Sequence, residues 1–211
     1  MKLLLAGATG LVGSHLLRLA LADARITLVI APVRRALSTT HPKLLAPVVD
    51  YDALPEDAPW WQADAVVCAL GTTMKAAGSQ AAFRRVDHDY PLAVARCARA
   101  HGTPTYVLNS ASGANAQSRF FYNRVKGELE QALAGMGFTS LTSARPGLIG
   151  GERRESRPAE RAALLALTAL GPLLPRRWRI CPAQTIARAM LDAALQARAG
   201  VHVLPAETLI A

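Results

Sequence analysis

The chain has 211 residues, enough for one domain with a substantial core and short for two. With 51% hydrophobic and 18% charged residues, a disordered chain is excluded. The net charge of +9 is spread over scattered arginine pairs, with no basic tract and no interleaved aromatic residues, which argues against nucleic acid as a partner.

Residues 3–6 read as a short buried strand. Gly7, Gly10 and Gly13 follow at three-residue spacing, and residues 11–21 carry helical periodicity. Strand, glycine turn and helix open a dinucleotide-binding βαβ unit. Gly7 allows the tight turn, Gly10 lets the backbone approach a pyrophosphate, and Gly13 lets helix and strand pack closely. Thr9, Leu11 and Val12 complete the turn, whose N–H groups meet phosphate where the helix dipole favours negative charge. Lys2 and the apolar run after it also resemble the start of a secretory signal, but the glycines and then Ser14, His15 and Arg18 interrupt it too early.

Residues 26–30 and 47–51 are read as the second and third strands, and residues 63–70 as a buried fourth ending at Gly71, Thr72 and Thr73. A helix over 80–100 stops at Gly102, and a fifth strand over 105–109 ends in Ser110, Ala111, Ser112 and Gly113. A helix over 120–134 leads to a sixth strand over 139–144, closed by Arg145, Pro146 and Gly147. Beyond residue 150 come an arginine-rich loop, an apolar helix near 160–170, a helix over 185–197 and a last strand over 200–204. The alternation predicts an α/β fold: a doubly wound parallel sheet (Rossmann fold) in a single domain over 1–211. Residues after about 146 form its substrate side.

Cys68, Cys97 and Cys181 are odd in number and widely spaced, which reads as core thiols in a reducing compartment. No histidine stands at metal-ligand spacing from another His, Cys or carboxylate, so no metal is expected. No apolar run reaches the roughly 20 residues of a membrane span. The expectation is a cytoplasmic protein, monomer or homodimer, acting on a small molecule. Trp60, Trp61 and Trp178 are read as packing residues.

In such folds an acid at the end of the second strand binds the ribose 2′-OH of NAD, whereas arginine accommodates the 2′-phosphate of NADP. Here Arg34 and Arg35 follow that strand with no acid within reach, which favours NADP(H) over NAD(H). The other reading of the pair is two solvated loop charges. Asp50, ending the third strand, is either an acceptor for the adenine amino group or a surface acid. Leu70, Gly71 and Thr72 end the fourth strand on the nicotinamide side, as do Asn109, Pro146 and Gly147 on the fifth and sixth.

Tyr122 and Lys126 stand at i and i+4 on the predicted helix and share a face. A cation beside a phenol favours the phenolate and lowers a pKa otherwise near about 10, as a general acid for carbonyl reduction requires. Ser110 precedes Tyr122 by twelve residues, at the carboxyl end of a strand, where open α/β sheets bind ligands.

Glycine turn, Ser110, Tyr122 and Lys126 together resemble the short-chain dehydrogenase/reductase superfamily, in its extended and atypical members. The stretches 70–73, 86–90 and 122–130, and Arg145, Pro146 and Gly147 with Glu155 to Pro158, are similar to its atypical Tat-interacting-protein-like branch, related to NmrA-like oxidoreductases. The resemblance covers nearly the whole chain. It implies a Rossmann fold, NADPH binding and oxidoreductase activity, although the branch also holds regulators and NADPH sensors. Tyr122 would then exchange a proton with the substrate oxygen. Lys126 would assist it and hydrogen-bond the nicotinamide ribose, and Ser110 would hold the substrate carbonyl. Two departures stand out. The usual paired serine is here Ser110, Ala111, Ser112, so Ser112 competes for the role, and the arginine segment carries an extra Pro32.

Two function classes follow: an NADP(H)-dependent oxidoreductase acting on a small carbonyl, alcohol or quinone, and an NADPH-binding regulatory protein with little or no turnover. Sugar-nucleotide epimerisation fits less well, because few residues remain after Arg145 for a separate substrate lobe. The apolar stretch 162–174 lines a substrate pocket, covers a dimer interface or is core.

Overall fold

A computed structural model describes residues 1–150 and 180–210. The arginine-rich loop, the stretch 162–174 and Trp178 lie outside the described residues. Seven strands form one all-parallel sheet: β1 (Lys2–Ala6), β2 (Leu28–Ile30), β3 (Leu44–Leu45), β4 (Ala65–Cys68), β5 (Thr105–Asn109), β6 (Ser140–Arg145) and β9 (Gly200–Pro205), in the order β3-β2-β1-β4-β5-β6-β9. A two-stranded pair, β7 (Ile149–Gly150) with β8 (Cys181–Pro182), lies beyond β6. This is the doubly wound α/β sheet that the alternation predicts. The order reverses between β1 and β4, and in such sheets the ligand crevice opens outside the carboxyl ends of strands at that reversal.

Strand side chains alternate between two covered faces. Leu3, Leu5, Val67 and Val107 point to the face covered by α1 (Leu11–Ala22) and α6 (Ala183–Gln196). Leu4, Ala6, Val66, Cys68, Tyr106 and Leu108 point to the face of α4 (Tyr90–Ala100) and α5 (Phe121–Ala134). Trp61 is fully buried in that second cluster, with Trp60 packed against it. Among the described residues no helix is long and apolar enough to cross a membrane.

Two elements differ from the sequence reading. The third strand is Leu44–Leu45, not 47–51. Pairing continues irregularly past it: the Val33 amide donates to the Pro47 carbonyl and the Val49 amide to the Val33 carbonyl. Pro47 has no N–H to give, so the ladder breaks where it stands, while the Ala31 and Val33 amides on either side of Pro32 both donate across. The helix over 80–100 is in fact α3 (Gln80–Arg84), a π-helical turn over Arg85–Asp89, and α4 with Pro91 in its first turn. The short α2 (Met74–Ala77) precedes them, capped by the Thr73 hydroxyl.

All three cysteines are buried free thiols, and burial raises the pKa of each. An aromatic disulfide reagent at mildly alkaline pH is therefore expected to leave the native protein unlabelled and to react only after denaturant is added. Prompt labelling of the native chain would contradict the packing of β4, α4 and β8.

Candidate active site

The glycine turn is built by backbone contact. Gly7 has φ +89°, and a Cβ there would lie 2.7 Å from the Ala69 carbonyl and the Leu70 amide at the end of β4. A Cβ on Gly13 would lie 1.9 Å from the Gly7 carbonyl oxygen, so α1 sits against the turn itself. Gly10 differs. A Cβ there would meet nothing closer than 3.4 Å, so the space over its backbone is open to a ligand. Gly10 is the N-cap of α1, and among the described residues no side chain caps that first turn. Thr9 and Gly10 are exposed, Leu11 is half-buried and Val12 is in the core. An uncapped helix N-terminus under open space is where a pyrophosphate fits.

Beyond β2, Arg34 and Arg35 are both exposed. Tyr51 lies beneath this segment and donates its hydroxyl to the Pro32 carbonyl at 2.9 Å. Burial raises the Tyr51 pKa, while the Arg34 charge pulls it the other way. Asp50 is exposed and accepts from the Asp52 amide at 2.9 Å. A cavity of about 520 Å³ opens between α1 and the segment after β2, lined by Thr9, Ser14, Arg18, Leu37, Thr39 and His41. Arg18 was not singled out from the sequence, although it stands on the same turn-proximal helix as the glycines.

At the carboxyl ends of β4 and β5 the geometry centres on Lys126. Its Nζ lies 2.7 Å from Asp87 Oδ1, with the two side chains 4% and 2% exposed. The other Asp87 oxygen accepts from the Thr72 amide at 2.7 Å. A Cβ on Gly71 would lie 3.3 Å from Asp87 Oδ1 and 4.0 Å from Lys126 Nζ, so the missing side chain makes room for the pair. Gly71 and Thr72 therefore meet Lys126 through Asp87. Tyr122 is 39% exposed, one turn up α5, with its ring against Phe83 at a centroid distance of 5.5 Å. Among the described residues, the Asn109 Oδ1 at the end of β5 is buried with no hydrogen-bond partner. An orphaned acceptor there is one that a ligand carboxamide or hydroxyl satisfies.

Ser110 is engaged by α5. Its hydroxyl donates to Glu130, which also takes Arg145 Nε at 3.0 Å and Arg145 Nη2 at 2.5 Å. The Glu130 carboxylate raises the Arg145 pKa through this hydrogen-bonded pair. A hydroxyl has one proton to donate, so that of Ser110 is committed to α5 and β6. Ser112 is exposed, and its amide donates to the Pro146 carbonyl at 2.8 Å. Pro146 is buried and Gly147 half-buried where β6 leads into β7.

Asp87, Glu130 and Gly127 received no role from the sequence. Glu130 was visible as the third member of an i, i+4, i+8 face with Tyr122 and Lys126. Asp87 stands in the stretch 86–90, on a π-helical turn, a local distortion that often marks functional sites. A Cβ on Gly127 would lie 2.1 Å from the Asn115 carbonyl carbon, so this glycine lets the segment after β5 lie directly on α5.

No family model matches the chain. Curated relatives do. Protein fmp52, mitochondrial, of Emericella nidulans is 39% identical over 179 residues, covering 79% of this chain and 75% of the relative. Protein HTATIP2 of Rattus norvegicus is 38% identical over 193 residues, covering 88% and 78%. The chain belongs to the Tat-interacting-protein-like branch of the short-chain dehydrogenase/reductases. Solved structures agree on the fold. MoeE5 in complex with UDP-glucose and NAD has a TM-score of 0.73 at 18% identity, over 96% of this chain and 75% of that one. RMD from Pseudomonas aeruginosa complexed with NADPH has a TM-score of 0.63 at 19% identity, over 95% and 76%. At such identities the likeness shows the fold alone. The relatives also correct one expectation. The cytoplasmic assignment is withdrawn, because the similar proteins of three fungi are each named mitochondrial. Reduced core thiols and the lack of a long apolar run do not separate one compartment from the other.

Proposed function

We propose that the chain is an oxidoreductase of the short-chain dehydrogenase/reductase type that uses NADP(H) to transfer hydride to or from a small carbonyl, alcohol or quinone. The observation that carries the reading is the joint placement of Tyr122 and buried Lys126 on α5 at the carboxyl ends of β4 and β5, one reversal away from an uncapped glycine turn. The turn residues Gly7, Thr9, Gly10, Leu11, Val12 and Gly13 would hold the pyrophosphate. Arg34 and Arg35 would meet the 2′-phosphate, since residues 31–43 carry no acid to favour a free 2′-OH. Asp50 would stand at the adenine. Leu70, Gly71, Thr72, Asn109, Pro146 and Gly147 would line the nicotinamide end. The group supplies hydride when bound.

The side chains of this chain do the rest. Tyr122 gives or takes the proton at the substrate oxygen. Lys126, one turn below the phenol, stands fixed by Asp87 to donate to the nicotinamide ribose. Of the two serines, Ser112 is the better donor to a substrate carbonyl, since Ser110 already gives its proton to Glu130. Tyr122→Phe is expected to lower turnover by about 10²–10⁴-fold while cofactor affinity stays within about twofold. Undiminished turnover, or loss of cofactor binding with it, would overturn the assigned role.

A second reading has its own support. Asp87 neutralises Lys126, and Ser110 is committed to Glu130; both weaken the case for efficient proton transfer. They favour an NADPH-binding regulatory protein. A screen of carbonyls, alcohols and quinones against the wild-type chain separates the two: tight cofactor binding without turnover on any of them favours this second reading.

A further inference from the structure

The Asp87–Lys126 pair raises a question that proton transfer leaves open: why a buried cation in a cofactor site should be cancelled by a buried carboxylate. Asp87 is held from two sides, by Lys126 Nζ at 2.7 Å and by the Thr72 amide at 2.7 Å, and Gly71 has no side chain to displace it. The carboxylate thus belongs to the turn after β4 as much as to the helix that carries it. Removing a buried pair from water is costly, and a neutral amide oxygen could accept a hydrogen bond from Lys126 as well. A carboxylate adds charge.

We propose that Asp87 sets the preference of this site between the oxidised and the reduced dinucleotide. The inference rests on the cofactor reading above. An oxidised nicotinamide ring carries a positive charge and a reduced one carries none. Beside an unbalanced Lys126 ammonium, the oxidised form would be repelled and the reduced form favoured. With Asp87 in place the net charge of the pair is zero, and the site admits both forms, as a reversible hydride exchange or a sensor of their ratio requires. Asp87 is a positioning residue that acts through Lys126 and through the field at the β4 turn. Because both charges lie in a water-poor environment, their effect on a neighbouring charge is weakly screened.

The test is titration of the whole chain with NADP⁺ and with NADPH separately, near neutral pH, read by calorimetry. In Asp87→Asn the amide still accepts from the Thr72 N–H, but Lys126 keeps its charge uncancelled. The ratio Kd(NADP⁺)/Kd(NADPH) is expected to rise about tenfold or more over wild type. Lys126→Gln should move the ratio the other way, and the neutral double variant Asp87→Asn/Lys126→Gln should return it to within about twofold of wild type. The ratio is insensitive to a loss of folded protein, because both ligands report on the same competent fraction. One folded single variant is therefore enough. A ratio unchanged in Asp87→Asn, while the wild type binds both forms, overturns this inference and leaves the cofactor reading standing. Binding of neither form to the wild type overturns both.

Discussion

Replacing Lys126 by Met is expected to lower the unfolding free energy by about 3–5 kcal/mol, the cost of leaving one member of a buried ion pair alone. Met keeps most of the stem, so packing between α5 and the β4 turn is largely preserved. What is lost is the partner of a carboxylate that is 2% exposed. Asp87 then retains the Thr72 amide as a donor, which offsets part of the charge and not all of it. Against a typical total of about 5–15 kcal/mol, the change is large enough to move a urea midpoint visibly. The ion-pair account also predicts non-additivity. Asp87→Asn/Lys126→Met should be more stable than Lys126→Met, because the orphaned charge is gone while the hydrogen bond to Thr72 stays. Urea unfolding of the wild type and the two variants checks this, and a double variant less stable than Lys126→Met would contradict it.

Gly13→Ala is expected to abolish dinucleotide binding and to destabilise the chain by about 1–3 kcal/mol. The added methyl would lie 1.9 Å from the Gly7 carbonyl oxygen and 2.7 Å from the Gly7 carbonyl carbon, and both are backbone atoms of the turn. Neither can rotate aside as a side chain could, so α1 must move off β1 or the turn must deform. Gly10→Ala separates fold from ligand. Its methyl meets protein no closer than 3.4 Å, and the residue is extended (φ −76°, ψ 172°), a conformation alanine adopts freely. Stability should change by less than about 0.5 kcal/mol. Affinity should nonetheless fall by about tenfold or more, because the methyl occupies space over the uncapped helix terminus where phosphate would lie. Thermal melts and calorimetric titrations of both variants check the contrast. Equal effects of the two substitutions would contradict the geometry of the turn.

The glycine turn was legible in the sequence because it rests on hard-sphere constraints that few other residues satisfy. β5 was legible to the residue, since Pro104 precedes it and the apolar run ends at Asn109. The third strand was misplaced because Pro47 breaks its ladder without erasing its apolar pattern. The π-helical turn at Arg85–Asp89 was invisible for a similar reason: one extra residue per turn rotates the face gradually, and the surrounding periodicity still reads as a single helix. That turn is what carries Asp87, so the main partner of Lys126 was hidden along with it.

The position of Ser110 was recoverable from strand alternation alone. Tyr106 and Leu108 face the α4 and α5 side while Val107 faces the other, and continuing the alternation puts Ser110 under α5, where Glu130 receives it. The pairing of Glu130 with Arg145 was not recoverable, because it joins elements that only the closed sheet brings together. The compartment was not written in any residue pattern at all. The names of the relatives overturned the cytoplasmic expectation.

Calorimetric titration of the wild-type chain with NADPH and NADH, after removal of any co-purified nucleotide, tests the central claim most directly. The account predicts that NADPH binds at least about tenfold tighter than NADH, and that Arg34→Ala/Arg35→Ala abolishes the difference. Binding of neither nucleotide would contradict it, and would leave the glycine turn and the Tyr122–Lys126 face as architecture alone.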